Sequence, residues 1–234
     1  MKTHYLIVYC LAVVLALLAS GCQKDSGANS GEMKDIEGNT YKTIKIGTQV
    51  WMAENLRTTQ YRNGDPIPIV TSGTSWSSAS FKSGAFCWYN NDDTKEYTYG
   101  ALYNWYAVTD KRNLAPEGWH IPSDEEWSTL VNFLGGESEA GGKLKEIGTT
   151  HWFSPNLGAS NEYLFTLLPS GCREGSEMQG TGSFWGINDK AYQWSSTQAS
   201  STQVWFRRVS KDGTDIFRAS GSGQYGMSVR CVKD

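Results

Sequence analysis

The sequence predicts an α+β fold over residues 35–234: a twisted antiparallel sheet with two or three short helices. Three observations predict it. Aromatic and β-branched residues alternate with polar ones at both ends of this region. Helix signals gather between them, around residues 99–144. All ten tryptophans lie between Trp51 and Trp205 with no low-complexity gap, so one domain accounts for the whole stretch.

The chain opens on MKTHYLIVYCLAVVLALLASGC, with Lys2, an apolar run from Tyr5 to Leu18, then Ala19-Ser20-Gly21 before Cys22. Residues 1–21 read as an export signal rather than a spanning helix. The small residues directly before Cys22 resemble a lipobox, which implies a lipid (palmitate-type acylation) on Cys22 and a membrane partner through that lipid. Residues 22–34 are polar and Gly/Ser-containing, as a flexible tether should be. Gln23-Lys24-Asp25 resembles the signal that sends some lipoproteins to the outer face of the outer membrane. No later stretch approaches the ~20 apolar residues of a membrane span. With 21 Lys+Arg against 24 Asp+Glu the net charge is −3, without the basic footprint of a nucleic-acid binder.

Within the domain, Tyr41, Ile44 and Ile46 form a strand, Gly47-Thr48 a turn, and Gln49–Met52 the return strand. Residues 57–84, rich in Ser, Thr, Gly and Pro, read as loop. In YGALYNWYAV (99–108), Leu102, Trp105 and Tyr106 have helical spacing. In WHIPSDEEW (119–127) a histidine sits among three carboxylates. Yet Ser123 and Glu126 spell a capping box, and Asp124 and Glu125 fill the first turn, where negative charge is favoured. Trp127, Leu130, Val131 and Leu134 continue the helix until Gly135. The segment is a helix start, with His120 ending a short strand. SEAGGKLKEIG gives a second helix, weakened by Gly141 and Gly142. The strands LFTLLP, AYQWSS, TQVWFRRVS, DIFRA and YGMSVRCVKD close the domain.

GTQVWMAENLRT, FCWYNND, YGALYNWYAV, PEGWHIPSDEEW, AGGKLKE, NEYLFTLLPSG, YQWSST and SVRCVKD, in that order, resemble the Fibrobacter succinogenes major paralogous domain (FISUMP) across 35–234. More distantly, GWHIPSDEEW and SVRC are similar to segments of formylglycine-generating sulfatase-modifying proteins. That resemblance implies a C-type-lectin-like fold. Many FISUMP relatives carry a Cys before Pro where this chain has Ala115-Pro116, a partner for the Cys of SVRC. Here an additional Cys172 appears instead. At most one bridge can form among Cys87, Cys172 and Cys231, with Cys231 its main candidate member and both the pairing and its existence open.

Catalytic patterns are missing. No H-E-x-x-H, C-x-x-C or G-x-S-x-G occurs, and nothing orients a Cys172–His151 dyad. The sulfatase-modifying site needs a close C-terminal cysteine pair, and only Cys231 stands there. GGESEAGGKL fails as a phosphate loop because Leu144 follows Lys143. No cofactor is called for. Asn90–Asp93 offers oxygen ligands for Ca²⁺, although a solvated turn has the same letters. The expectation is a binding module, not an enzyme, whose ligand is a glycan, or else a protein in a structural or adhesive role. Residues 171–190 should form surface loops. The candidate ligand residues are Trp185, Asn188, Asp189, Trp194, Trp205 and Arg207, with Trp185 the most exposed of the tryptophans.

Overall fold

The computed structural model describes residues 30–78, 80–175 and 181–234. The expected export signal, Cys22 and the expected tether as far as residue 29 lie outside the described residues, as do residues 176–180 of the expected ligand loop. Twelve strands occur among the described residues. They are β1 (Gly31–Lys34), β2 (Thr40–Ile46), β3 (Gln49–Met52), β4 (Phe86–Cys87), β5 (Leu102–Tyr103), β6 (Trp119–His120), β7 (Ser170–Arg173), β8 (Phe184–Ile187), β9 (Lys190–Gln198), β10 (Gln203–Ser210), β11 (Ile216–Ser222) and β12 (Val232–Lys233). Five short α-helices join them: α1 (Gly73–Trp76), α2 (Glu96–Tyr99), α3 (Trp105–Val108), α4 (Asp124–Phe133) and α5 (Glu137–Leu144).

The strands form two five-stranded sheets, ordered β1-β2-β3-β12-β6 and β11-β10-β9-β7-β8, plus the ribbon β4-β5. Pairing within these sheets is antiparallel except between β7 and β9. The molecule is thus a mixed, strand-dominated fold with few short helices. β1 pairs with β2 from Gly31 to Lys34, so the ordered domain starts four residues earlier than its sequence suggested. A polar edge strand looks like a tether because its hydrogen bonds come from backbone, not from side-chain pattern.

β2 forms as expected but is buried on both faces, Tyr41 entering one core cluster and Ile44 and Ile46 the other, with Lys42 and Lys45 exposed. The helix expected over 99–108 is mostly absent. Gly100 takes φ 72° after α2, Leu102 and Tyr103 pair with β4, and only four residues coil. Asn104 starts that turn by accepting a bond from the Ala107 N–H. The expected strand LFTLLP also fails. Leu164 and Thr166 have φ of 59° and 53°, which breaks any ladder and leaves one bridge at Leu167.

Helix α4 starts as its letters require: Ser123 Oγ accepts from the Glu126 N–H, and Glu126 accepts from the Ser123 N–H. Trp127 then packs 4.7 Å from Trp51, and its indole donates to the Trp194 carbonyl. Helix α5 lies against β11. A Cβ on Gly141 would sit 2.2 Å from the Asp215 carbonyl, and one on Gly142 2.6 Å from that of Gly158. These glycines trade helix propensity for close backbone approach.

His120 is more than the residue before a cap. Its Nδ1 lies 2.6 Å from Asp234 and its Nε2 2.7 Å from Glu126. Carboxylates only accept, so both ring nitrogens must donate and the imidazole is held protonated. Burial opposes that charge, but the bonds to Asp234 and Glu126 outweigh it, and the His120 pKa ends above its usual value. Burial likewise raises Glu126, yet bonds from Ser123 and His120 bring its pKa below the usual carboxylate value. The histidine's contribution is therefore complete below about pH 6.5 and lost as pH rises through its raised value. The glutamate's is complete above about pH 4.3 and lost as pH falls further. Wild type should exceed His120→Gln in urea midpoint at pH 5.5, with the gap closing by pH 9. An equal gap at both pH values would exclude a charge-linked bridge.

Cys87, Cys172 and Cys231 are all free and buried, so none of the possible pairings is formed. Each is enclosed in apolar surroundings, Cys172 and Cys231 in the main core and Cys87 in a satellite cluster. Burial pushes all three thiols above their usual pKa, which keeps them unreactive in the folded chain.

Candidate functional site

Strand register sets which side chains share a face. Arg208 is opposite Tyr192 on one side and Phe217 on the other. Trp185 is opposite Cys172, and β7 runs beside β9 with Gly171 paired to Ala191. Side chains of paired residues point the same way, so Trp185, Cys172, Tyr192, Arg208 and Phe217 form one row across the C-terminal sheet. The Trp185 and Tyr192 rings meet edge-on at 5.2 Å, and the Arg208 guanidinium lies 4.8 Å over Phe217.

Three loops converge at the end of this row. The Lys211 N–H donates to the Asp189 carbonyl, Leu157 to Lys211, and Phe153 to Asn188. Behind them Lys145 is fully buried, its ammonium donating to the carbonyls of Leu157 (2.9 Å), Ser210 (3.1 Å) and Gly213 (2.8 Å). Burial lowers its pKa to about 8, so it stays protonated at neutral pH. The result is a cavity of about 290 Å³ lined by Lys190, Arg208, Ser210, Asp212, Asp215 and Phe217. Phe217 remains 45% exposed, and on the neighbouring loops Phe153 is 58% and Leu157 52% exposed.

Under this apolar surface the polar chemistry is incomplete. Nine buried side-chain polar atoms among the described residues have no partner in the protein. Four of them belong to this patch: Trp185 Nε1, Asp189 Oδ1, Tyr192 OH and Arg208 Nε. Buried polar atoms normally find partners, because leaving one unpaired costs about 1–3 kcal/mol.

The six expected ligand residues divide. Trp185 and Asp189 belong to the patch, Trp185 half-buried rather than prominently exposed and Asp189 paired with Lys190 at 2.6 Å. Asn188 is a corner bracket: with φ 62°, its amide donates to the Tyr99 hydroxyl and the His151 carbonyl. Trp194 is core, its indole donating to the Tyr103 carbonyl at 2.7 Å. Arg207 is one residue along from Arg208 and so faces the opposite side of the sheet, where it is buried and paired with Asp124 at 2.6 Å. Trp205 shares that opposite face, beneath the Arg218 guanidinium at 3.4 Å. Residues 171–190 are not all loop, since they contain most of β7 and all of β8.

Tyr192, Lys190, Arg208 and Phe217 escaped sequence reasoning. Alternation requires Arg207 and Arg208 to diverge, but only cross-strand register tells which one is buried. At Asn90–Asp93, Asn90 and Asn91 take φ of 56° and Asp92 accepts from the Thr94 N–H and hydroxyl, which is turn chemistry. Among the described residues no group of three His, Cys, Asp or Glu is placed to hold a metal ion.

The family model of the Fibrobacter succinogenes major domain matches residues 44–233. The chain belongs to this family. No curated protein and no solved structure matches it. The matched Fibrobacter succinogenes major domain runs from within β2 to the end of β12, so it takes in the second sheet and the whole Trp185–Phe217 row.

Proposed function

We propose that this member of the Fibrobacter succinogenes major domain family is a lipid-anchored surface protein whose domain binds a glycan at the Trp185–Phe217 row. In this reading the domain is C-type-lectin-like, with its ligand carried on the C-terminal sheet. The anchor rests on sequence: the apolar run and small residues directly before Cys22. Acyl chains contribute about 0.8 kcal/mol per buried methylene, so two or more hold firmly. Gln23-Lys24-Asp25 supports the outer face of the outer membrane as its location.

The observation that carries the binding proposal is the cavity lined by Lys190, Arg208, Ser210 and Asp215 beside the exposed Phe217 ring. A sugar presents an apolar C–H face to such a ring while its hydroxyls meet the polar groups that line the cavity. Contact with a protein is the second reading, favoured by exposed Phe153 and Leu157.

The test is a glycan array probed with the full chain in detergent micelles. A bound glycan should lose at least tenfold in affinity with Phe217→Ala. This variant is cleaner than Trp185→Ala, because Trp185 also packs against the core. Cells making the protein should capture the labelled glycan at their surface, and Cys22→Ala should move that capture into the medium. Undiminished binding by Phe217→Ala would remove the site, and an array without a hit would favour protein contact.

A further inference from the structure

Eight arginines occur among the described residues. Arg57, Arg112, Arg207 and Arg218 pair with carboxylates. Arg62, Arg173 and Arg230 donate to backbone carbonyls. Among the described residues only Arg208 has neither an ion pair nor a hydrogen bond, and its Nε is buried without a partner. Its one contact of note is the Phe217 ring, which fixes the plane of the guanidinium.

The nearby acids are already engaged or directed elsewhere. Asp189 pairs with Lys190, and Asp212 with Lys211, each at 2.6 Å. Asp212 and Asp215 both act on buried Lys145. Four cations, Lys145, Lys190, Arg208 and Lys211, thus meet three carboxylates, Asp189, Asp212 and Asp215, and the excess charge is Arg208's. A half-buried guanidinium held flat and left unpaired is preorganised for a planar, two-oxygen acid group.

We infer that the ligand of this face is an acidic sugar, and that Arg208 receives its carboxylate. The inference rests on the binding role proposed above and narrows its chemistry. The carboxylate lies against the guanidinium fork, and the pyranose ring lies on the Phe217 face. The Ser210 hydroxyl and the Lys190 ammonium, which line the same cavity, are the neighbouring groups for ring hydroxyls. At about 290 Å³ the cavity is near the lower end of ligand pockets, about 300 Å³, so it takes one sugar unit of a longer chain. An acidic peptide also offers carboxylates, but its flexible side chains lack the broad C–H face that an exposed aromatic ring selects.

The experiment titrates the full chain in detergent micelles with oligogalacturonate, a neutral galacto-oligosaccharide of equal length, and poly-glutamate. Calorimetry gives affinities, and thermal melts establish that each variant folds. Oligogalacturonate should bind at least tenfold tighter than the neutral oligomer. Arg208→Met should abolish that preference, and Arg208→Lys, which keeps the charge without the fork, should restore only part of it. Equal binding of both sugars, sensitive to Phe217→Ala but not to Arg208→Met, would overturn the acidic assignment and leave the binding face standing. Poly-glutamate binding as tightly as oligogalacturonate would overturn the sugar assignment. No binding of any of the three would overturn the inference, and the array result would then decide separately whether the face binds at all.

Discussion

Replacing Asp124 with alanine should destabilise the domain by about 3–5 kcal/mol, the usual cost of breaking a buried ion pair from one side. Arg207 is only 3% exposed, and Asp124 is its carboxylate partner, with the Asp124 carbonyl and Ser128 hydroxyl completing its shell. Burial opposes the Asp124 charge, yet bonds from Arg218 and Arg207 hold its pKa below the usual carboxylate value. Alanine would strand the guanidinium between α4 and β10 without compensation. The double variant Asp124→Leu with Arg207→Met should recover most of the loss, because neither charge is then buried alone. Urea unfolding of the wild type and the two variants measures this. A single-variant loss below about 1 kcal/mol would show that the pair is solvated like an ordinary surface bridge.

Lys145→Met should cost about 3 kcal/mol or more, since three buried carbonyls lose their donor at about 1–3 kcal/mol each. The methionine fills much of the space but cannot bond to Leu157, Ser210 and Gly213. Those carbonyls belong to loops beside the candidate face, so damage should also appear locally. Hydrogen exchange at the Leu157 amide, which donates to Lys211, should accelerate beyond what global unfolding explains. A variant with wild-type urea midpoint and unchanged exchange would show that water can replace the ammonium.

What could be read from the letters follows the range of the interactions. The start of α4 was legible because Ser123 and Glu126 are three residues apart and complete each other's bonds. The β2–β3 hairpin was legible for the same reason, with Gly47 at φ 60° in its turn. Lys145 was invisible: in AGGKLKE it looks like any solvent-facing lysine, and its acceptors are 12 to 68 residues away. The glycines of α5 looked like weakness because the Asp215 and Gly158 carbonyls they admit come from distant sequence. Of the six residues singled out by composition, Trp185 and Asp189 lie on the proposed face. Arg207 and Arg208 cannot be told apart by composition, since they differ only in which face the register gives them. FISUMP membership was the most legible feature, because ordered motifs survive where individual contacts cannot be foreseen.

The first sheet places β12 between β3 and β6, joining the opening strands to residues 232–233. Until the last residues of the chain arrive, β3 and β6 have no common neighbour and the Trp51 backbone lacks one side of its ladder. No N-terminal fragment can close this sheet, however long it grows. The fold therefore completes late, after a search spanning nearly the whole domain, and such long-range pairing makes folding slow. A chain terminated before residue 232 should lack a finished fold rather than be a slightly shorter protein.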